Sequence, residues 1–396
     1  MEFGNEARLP PPSQAALEAG ARLTALIREE AEACGGILGF DRYMERALYY
    51  PGLGYYANGA LPFGTGGDFV TAPEIGSLFA RCVARQCISV LEALNGGDVL
   101  EFGAGSGRLA ADVLLEMAHL GTLPGAYRIL ELSAVLRERQ RQTLERLAPQ
   151  LADRVVWLDA LPAEGFRGCV LANEVLDALP VRRFQRRAEG VWEQVAAARD
   201  DAGLALRWRS ADEALTATVE AVERRIGRRL PAGYVSEVCA MLPAWMRALA
   251  GFLEAGAALL VDYGDTNRAY YRPERNGGTL RCYYRHRVHG DPLLWPGSCD
   301  LTADVDFSAA AHAAEDAGLR VAGFTTQAFF LLGNGLETLL GASDPSDPAT
   351  HLPLAQEAKT LTLPGEMGER FKALALCKGL DMPWPAFALA DWRGRL

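Results

Sequence analysis

Lysine is almost missing from this chain. Lys359, Lys372 and Lys378 are the only ones among 40 basic residues, so nearly every positive charge is a guanidinium. That bias accompanies a richness in Ala and Gly, and points to genome composition rather than to function. Long apolar runs are missing too: none approaches the roughly 18 residues that span a bilayer. The opening stretch, MEFGNEARLPPPSQ, has neither the basic nor the apolar region of a secretory leader. Cysteines in metal-binding pairs are also lacking. Cys34, Cys82, Cys87, Cys169, Cys239, Cys282, Cys299 and Cys377 stand apart with no C-x-x-C, which argues for reduced thiols and against zinc. A cytoplasmic protein is expected from these absences. A surplus of positive charge is absent as well, since 50 acidic residues against 40 basic ones give a net charge of −10. Broad affinity for nucleic acid or an anionic membrane is therefore disfavoured.

What is present is a globular composition: 396 residues, 49% hydrophobic and 23% charged. That length allows one large domain or two ordinary ones. After Pro10-Pro11-Pro12, Ser13 can cap a helix along which Leu17, Leu23, Ile27 and Ala31 recur at helical spacing. A second helix is expected over 40–49, then a glycine-rich loop over 51–76, long enough to suggest function, and a helix over 78–94. From there strands alternate with helices: strands at 98–102, 127–132, 155–158, 169–172 and 257–261, helices at 109–117 and 134–147. Crossovers of this length imply a parallel, doubly wound sheet. Residues 181–250 interrupt it with an antiparallel meander and a helix over 212–229. A second interruption, 268–307, is rich in Tyr, Arg and His. Residues 319–324 and 371–377 are expected to close the sheet as an antiparallel edge pair.

The most informative stretch is VLEFGAGSGRL, with Glu101, Gly103, Gly105 and Gly107 on a strand-to-helix turn. Glycines there permit a tight turn and close approach of a ligand at the helix start, although simple turn chemistry would use them too. A dinucleotide fingerprint needs G-x-G-x-x-G, whereas here the third glycine comes one residue early and position 108 is Arg. A carboxylate two residues before the first glycine would repel a pyrophosphate and suit a cationic ligand. S-adenosylmethionine, with a sulfonium, an ammonium and no phosphate, fits better. The next strand ends in Glu131, where an acid can accept both ribose hydroxyls, and the following one in Asp159, within reach of an adenine amino group. Either acid could instead cap the helix that follows.

Together with NEVLDALP (173–180), this pattern resembles the class I S-adenosylmethionine-dependent methyltransferases. More narrowly, the chain resembles the MidA family, which includes a mitochondrial complex I assembly-factor arginine methyltransferase. The stretches that carry the likeness run almost end to end: YMERALYYPGLGYY, GDFVTAPEIGSLF, LEFGAGSGRLAADVL, YRILELSAVLRERQ, NEVLDALPVRRF, CYYRHRVHGDPL, DLTADVDF and PGEMGERFKAL. The resemblance implies a cofactor site from Glu101, Gly103, Gly105 and Gly107, with Glu131 on the ribose. It also implies that Asp68, Thr71, Pro73 and Glu74 belong to a lid folding over the ligand.

Methyl transfer is an in-line displacement, so the enzyme must mainly position a nucleophile with a free lone pair. For an arginine, deprotonation in advance at pH 7 would cost about 8 kcal/mol, given a guanidinium pKa of roughly 12.5–13.8. Carboxylates beside the methyl lower that barrier by pairing with the guanidinium and localising its charge. Glu174 and Asp177 are three residues apart, hence on one face if the turn is helical; Glu174 is the expected orienting acid and Asp177 the second, unless Asp177 serves a local cap. Asn173 adds an amide for cofactor or substrate. Tyr283, Tyr284 and His286 in RCYYRHRVHGD could dock a peptide, or simply pack their insertion; with no third ligand at metal spacing, His286 and His289 are not expected to bind zinc. Asp262 and Tyr263, ending a strand, are candidates for the acceptor pocket. The basic clusters VRRFQRR and ERRIGRR fit solvated faces better than an RNA site.

The expectation is therefore an α/β protein: a Rossmann-like class I methyltransferase sheet with a helical N-terminal extension and an inserted antiparallel and helical region. Residues 1–95 form the extension and lid, 96–180 and 251–396 the two parts of the core, and 181–250 a substrate-recognition insertion. The expected reaction is methylation from S-adenosylmethionine, by resemblance onto an arginine of a protein such as a respiratory complex I subunit. Methylation of RNA or a small molecule, or an assembly chaperone that binds the cofactor with little catalysis, are the alternatives.

Overall fold

The computed structural model describes residues 9–59 and 71–396. The chain divides into two units, each assembled from separated stretches. One takes Met1–Phe69, Asp177–Leu242 and Thr266–Asp306; the other takes Val70–Leu176, Pro243–Asp265 and Phe307–Leu396.

The second unit holds seven strands of the central sheet: β1 (Asp98–Phe102), β2 (Tyr127–Leu130), β3 (Val155–Leu158), β4 (Phe166–Asn173), β5 (Leu253–Asp265), β6 (Arg320–Thr326) and β7 (Phe371–Lys378). They lie in the order β3-β2-β1-β4-β5-β7-β6. β1 to β5 pair in parallel, and β7 runs antiparallel to both of its neighbours. Parallel strands are covered on both faces and so read as near-continuous apolar runs, which is why β4 buries Gly168 to Ala172 without a break. On one face Val99, Ile129, Cys169 and Leu171 join a large core. On the other, Phe102 packs 5.7 Å from Trp245 and 6.3 Å from Phe252. The strand order reverses between β1 and β4, the point in an open α/β sheet where ligands bind at the carboxyl ends of the strands.

The doubly wound sheet expected from the alternation is the one observed. The expected antiparallel pair closing one edge of the sheet is observed as well: β6 is the outermost strand there, and β7 lies just inside it, between β6 and β5. Residues 371–377 are all buried, as an interior strand requires and an edge strand does not.

In the first unit the helix Gln14–Ala33 starts at Ser13, whose hydroxyl accepts from Ala16 N at 3.3 Å, and buries Leu23, Ile27 and Ala31. The expected meander is present as Arg182–Arg186, Val191–Ala198 and Leu204–Ser210, and is extended by Ile37–Gly39 and Val235–Val238 into a five-stranded antiparallel sheet. The arginines of VRRFQRR, expected to face solvent, are instead paired. Arg182 contacts Glu193 at 2.5 Å and Asp212 at 2.9 Å, Arg183 contacts Glu237 at 3.1 Å, and the buried Arg186 contacts Glu223 at 3.2 Å. Carboxylates on neighbouring strands and on the helix Glu213–Ile226 thus neutralise the cluster, which further weakens an RNA reading.

Candidate active site

The glycine turn follows β1 and opens the helix Arg108–His119. Gly103 and Gly107 have φ of 63° and 82°, a left-handed conformation that costs other residues about 1 kcal/mol or more. At Gly107 space forbids a side chain as well. A Cβ on Gly107 would lie 2.9 Å from Gln140 Cα, and one on Gly103 would lie 3.3 Å from Val175 Cγ2. Within the turn the Ser106 hydroxyl donates to the Glu74 carboxylate and accepts from Arg108 N at 3.2 Å. Glu74 stands on the short helix Ala72–Ile75, which Thr71 precedes and where Pro73 occupies the first turn. Thus Glu74, and with it the helix carrying Pro73, is tied to the glycine turn; Asp68 lies outside the described residues.

Three acids end successive strands, in three different environments. Glu101, in β1, is only 2% exposed and accepts a hydrogen bond from Tyr127 Oη at 2.7 Å. Burial pushes its carboxyl up to about 7, with the tyrosine bond opposing the shift. Glu131, after β2, is half-buried; one oxygen accepts from Ser133 N at 2.9 Å and the other from Gln140 Nε2 at 3.2 Å. Burial raises its pKa as well. Asp159, after β3, is exposed, and one of its oxygens is paired to Arg137 at 2.5 Å.

At the end of β4, Asn173 Oδ1 is buried with no hydrogen-bond partner among the described residues, while its Nδ2 lies 3.4 Å from Glu174 Oε1. Glu174 has φ of 52°, and its N–H donates to Val261 O at 2.9 Å. A left-handed glutamate is strained, and such strain gathers at functional sites. The contact of Gly103 with Val175 brings this turn beside the glycine turn. The helical turn that would have put Glu174 and Asp177 on one face is not formed: residues 174–176 are irregular and the chain reverses through the left-handed Glu174. Asp177 is buried and belongs to the other unit.

Asp262 and Tyr263 are not at an open edge. Asp262, 1% exposed, accepts from Leu176 N and from Tyr263 N, both at 2.9 Å, and so pins the turn that carries Glu174. Tyr263 packs in the core, its ring 5.5 Å from Phe371. In the first unit, Tyr283 and Tyr284 lie on Arg281–Tyr284, paired to Arg287–His289 with Tyr284 opposite Arg287. Arg285 and His286 form the two-residue tip at φ of 47° and 59°, a hairpin geometry that normally selects Asn-Gly. His286→Gly is therefore expected to raise unfolding stability by about 1 kcal/mol, read as a higher urea midpoint at unchanged slope. An unchanged or lower midpoint would show that His286 is not strained there.

Sequence reasoning missed Ser106, Arg137, Gln140 and Trp157. Arg137 Nε donates to Glu131 O at 2.6 Å and its Nη2 to Leu158 O at 2.8 Å, joining the ends of β2 and β3. Gln140 contacts Gly105, Glu131 and Trp157. The signal available was the spacing of Arg137 and Gln140, one turn apart on the helix that follows Glu131.

A glycine cradle at the switch point, an orphaned buried amide oxygen at Asn173 and a fixed carboxylate at Glu131 suit a ligand that carries donors and no phosphate. This sheet order and site define a class I S-adenosylmethionine-dependent methyltransferase. A family model described as "Putative S-adenosyl-L-methionine-dependent methyltransferase" matches residues 82–325, and the chain belongs to that family. Among curated relatives, the zebrafish (Danio rerio) protein arginine methyltransferase NDUFAF7, mitochondrial, is 32% identical over 368 residues, covering 85% of this chain and 82% of that protein. The human protein of the same name is 28% identical, over 84% and 78%. A crystal structure from Burkholderia thailandensis, bound to S-adenosyl-homocysteine, is 43% identical and superimposes with a TM-score of 0.93 over 98% of this chain and 100% of that one. The cytoplasmic expectation is corrected by these findings, since the zebrafish, fruit-fly and human relatives are all named as mitochondrial proteins. No helix among the described residues is long and apolar enough to cross a membrane.

Proposed function

We propose that this methyltransferase modifies an arginine of a protein substrate, such as a respiratory complex I subunit. The observation that carries the reading is Glu174, a half-buried and conformationally strained carboxylate at the end of β4, beside the glycine turn. The name shared by the curated relatives supports it. Gly103, Gly105, Gly107, Glu131 and Asn173 would hold S-adenosylmethionine, which when bound supplies an electrophilic methyl on a sulfonium. Glu174 would accept from the guanidinium, orient it and keep its charge on the nitrogens away from the reacting one. Asn173 Nδ2, 3.4 Å from Glu174 Oε1, would steady that carboxylate. Of the two acids expected from the sequence, the proposal rests on Glu174 alone. Residues 181–250 and 268–307, including Tyr283, Tyr284 and His286, are proposed to select the acceptor.

Incubating the protein with methyl-labelled cofactor and a lysate of its own cells, then mapping the label by mass spectrometry, tests this. Label on an arginine of a polypeptide is the expected result. A labelled RNA or metabolite would overturn it, and no label at all would favour a chaperone.

A further inference from the structure

Gln140 is fully buried, yet it is a polar side chain on the helix Ala134–Leu147, where an apolar residue would pack as well. Its amide reaches three partners, one from each of three neighbouring segments of the sheet. Nε2 lies 3.2 Å from Gly105 O in the glycine turn after β1, and 3.2 Å from the Glu131 carboxylate after β2. Oε1 accepts from Trp157 Nε1 of β3 at 2.8 Å. The orientation of this amide is dictated by chemistry. An indole N–H can only donate, whereas a carbonyl and a carboxylate can only accept, so Trp157 turns Oε1 toward itself and Nε2 toward the other two. The close approach of Gly107 to Gln140 Cα and Cβ, where an added Cβ would come within 2.9 and 3.2 Å, seats the glycine turn directly on this point of the helix.

We infer that Gln140 is a positioning residue for the cofactor: it holds the Glu131 carboxylate and the glycine turn in one fixed relation, with Trp157 setting its amide. Ser133 N restrains the other Glu131 oxygen. The carboxylate is thereby aimed before any ligand arrives, and less ordering is left to be done on binding. The inference rests on the reading that Glu131 takes the ribose hydroxyls.

The test is isothermal titration of the full chain with S-adenosyl-homocysteine and with its 2′-deoxy analogue. Gln140→Met, which keeps the volume and removes both bonding groups, is expected to weaken S-adenosyl-homocysteine about tenfold and to remove most of its preference over the deoxy analogue, whose own affinity falls by much less. Trp157→Phe leaves Gln140 in place but frees its amide to turn, and is expected to lower the same preference about threefold. It decides the matter if the methionine variant does not fold. A merely structural role would weaken both ligands equally, and that result overturns the inference, as does wild-type preference in whichever variant folds. Glu131→Gln separates the two ideas. If it leaves the preference intact, the ribose reading itself fails. If it removes the preference while Gln140→Met and Trp157→Phe do not, only the positioning role fails.

Discussion

Glu174→Gln is expected to lose at least about 100-fold in methyl transfer, while binding S-adenosyl-homocysteine within about threefold of the parent enzyme. The substitution keeps the shape and the left-handed backbone, and removes only the charge. A neutral amide cannot draw the guanidinium charge toward itself, and a fixed electrostatic partner in a water-poor site is worth roughly 2.7–4 kcal/mol in the transition state. Glu174→Gly adds an independent reading. It relieves the strain at φ 52° and is expected to raise unfolding stability by about 1 kcal/mol while abolishing turnover. Stability gained with activity lost is the signature of a residue kept for chemistry. Wild-type turnover in the glutamine variant would remove Glu174 from the mechanism.

Glu101→Gln is expected to make the protein more stable at pH 8 by up to about 3 kcal/mol, with no comparable gain at pH 4. Burial pushes the Glu101 carboxyl up to about 7 in the fold, whereas in the unfolded chain it titrates near its ordinary value of about 4.3. Below that lower value both states are protonated and the charge costs nothing. Between the two values the folded state still holds a proton that the unfolded state has released, so stability falls as pH rises across the window. Above about 7 both are ionised and the loss is complete. Glutamine carries no charge at any pH, and its carbonyl can still accept from Tyr127. Urea unfolding of both proteins between pH 4 and 8 checks this, and parallel pH profiles would show that Glu101 does not titrate late. The acid has a use that would justify its cost: if its charge serves the cofactor, the variant should lose more affinity for S-adenosylmethionine than for S-adenosyl-homocysteine, which lacks the sulfonium.

Much of the candidate site was legible because its signals are local. A glycine triplet between a strand and a helix, and polar residues placed at strand ends, depend only on neighbours in sequence, so the placement of Gly103, Gly105, Gly107, Glu131 and Asn173 in the fold could be read from the chain alone. The failures have a common origin in contacts between distant segments. Arg182, Arg183 and Arg186 fall in a basic run that reads as a solvated face, but the acids that neutralise them come from Glu193, Glu223 and Glu237. Tyr263 and Asp262 end a strand as site residues do, yet Phe371 and Leu176 claim them.

By itself the sequence determined the class of fold and the cofactor. Alternating apolar runs of two periods and an acid-then-glycine turn permit few other arrangements. Tertiary structure alone decided that β7 enters between β5 and β6, that Glu101 is sealed beneath Tyr127, that Glu174 turns left-handed instead of helical, and that Gln140 joins three strand ends. Each of these depends on which distant side chain fills the space opposite. Hydrophobic spacing reports which face of a segment is buried, but not what it is buried against.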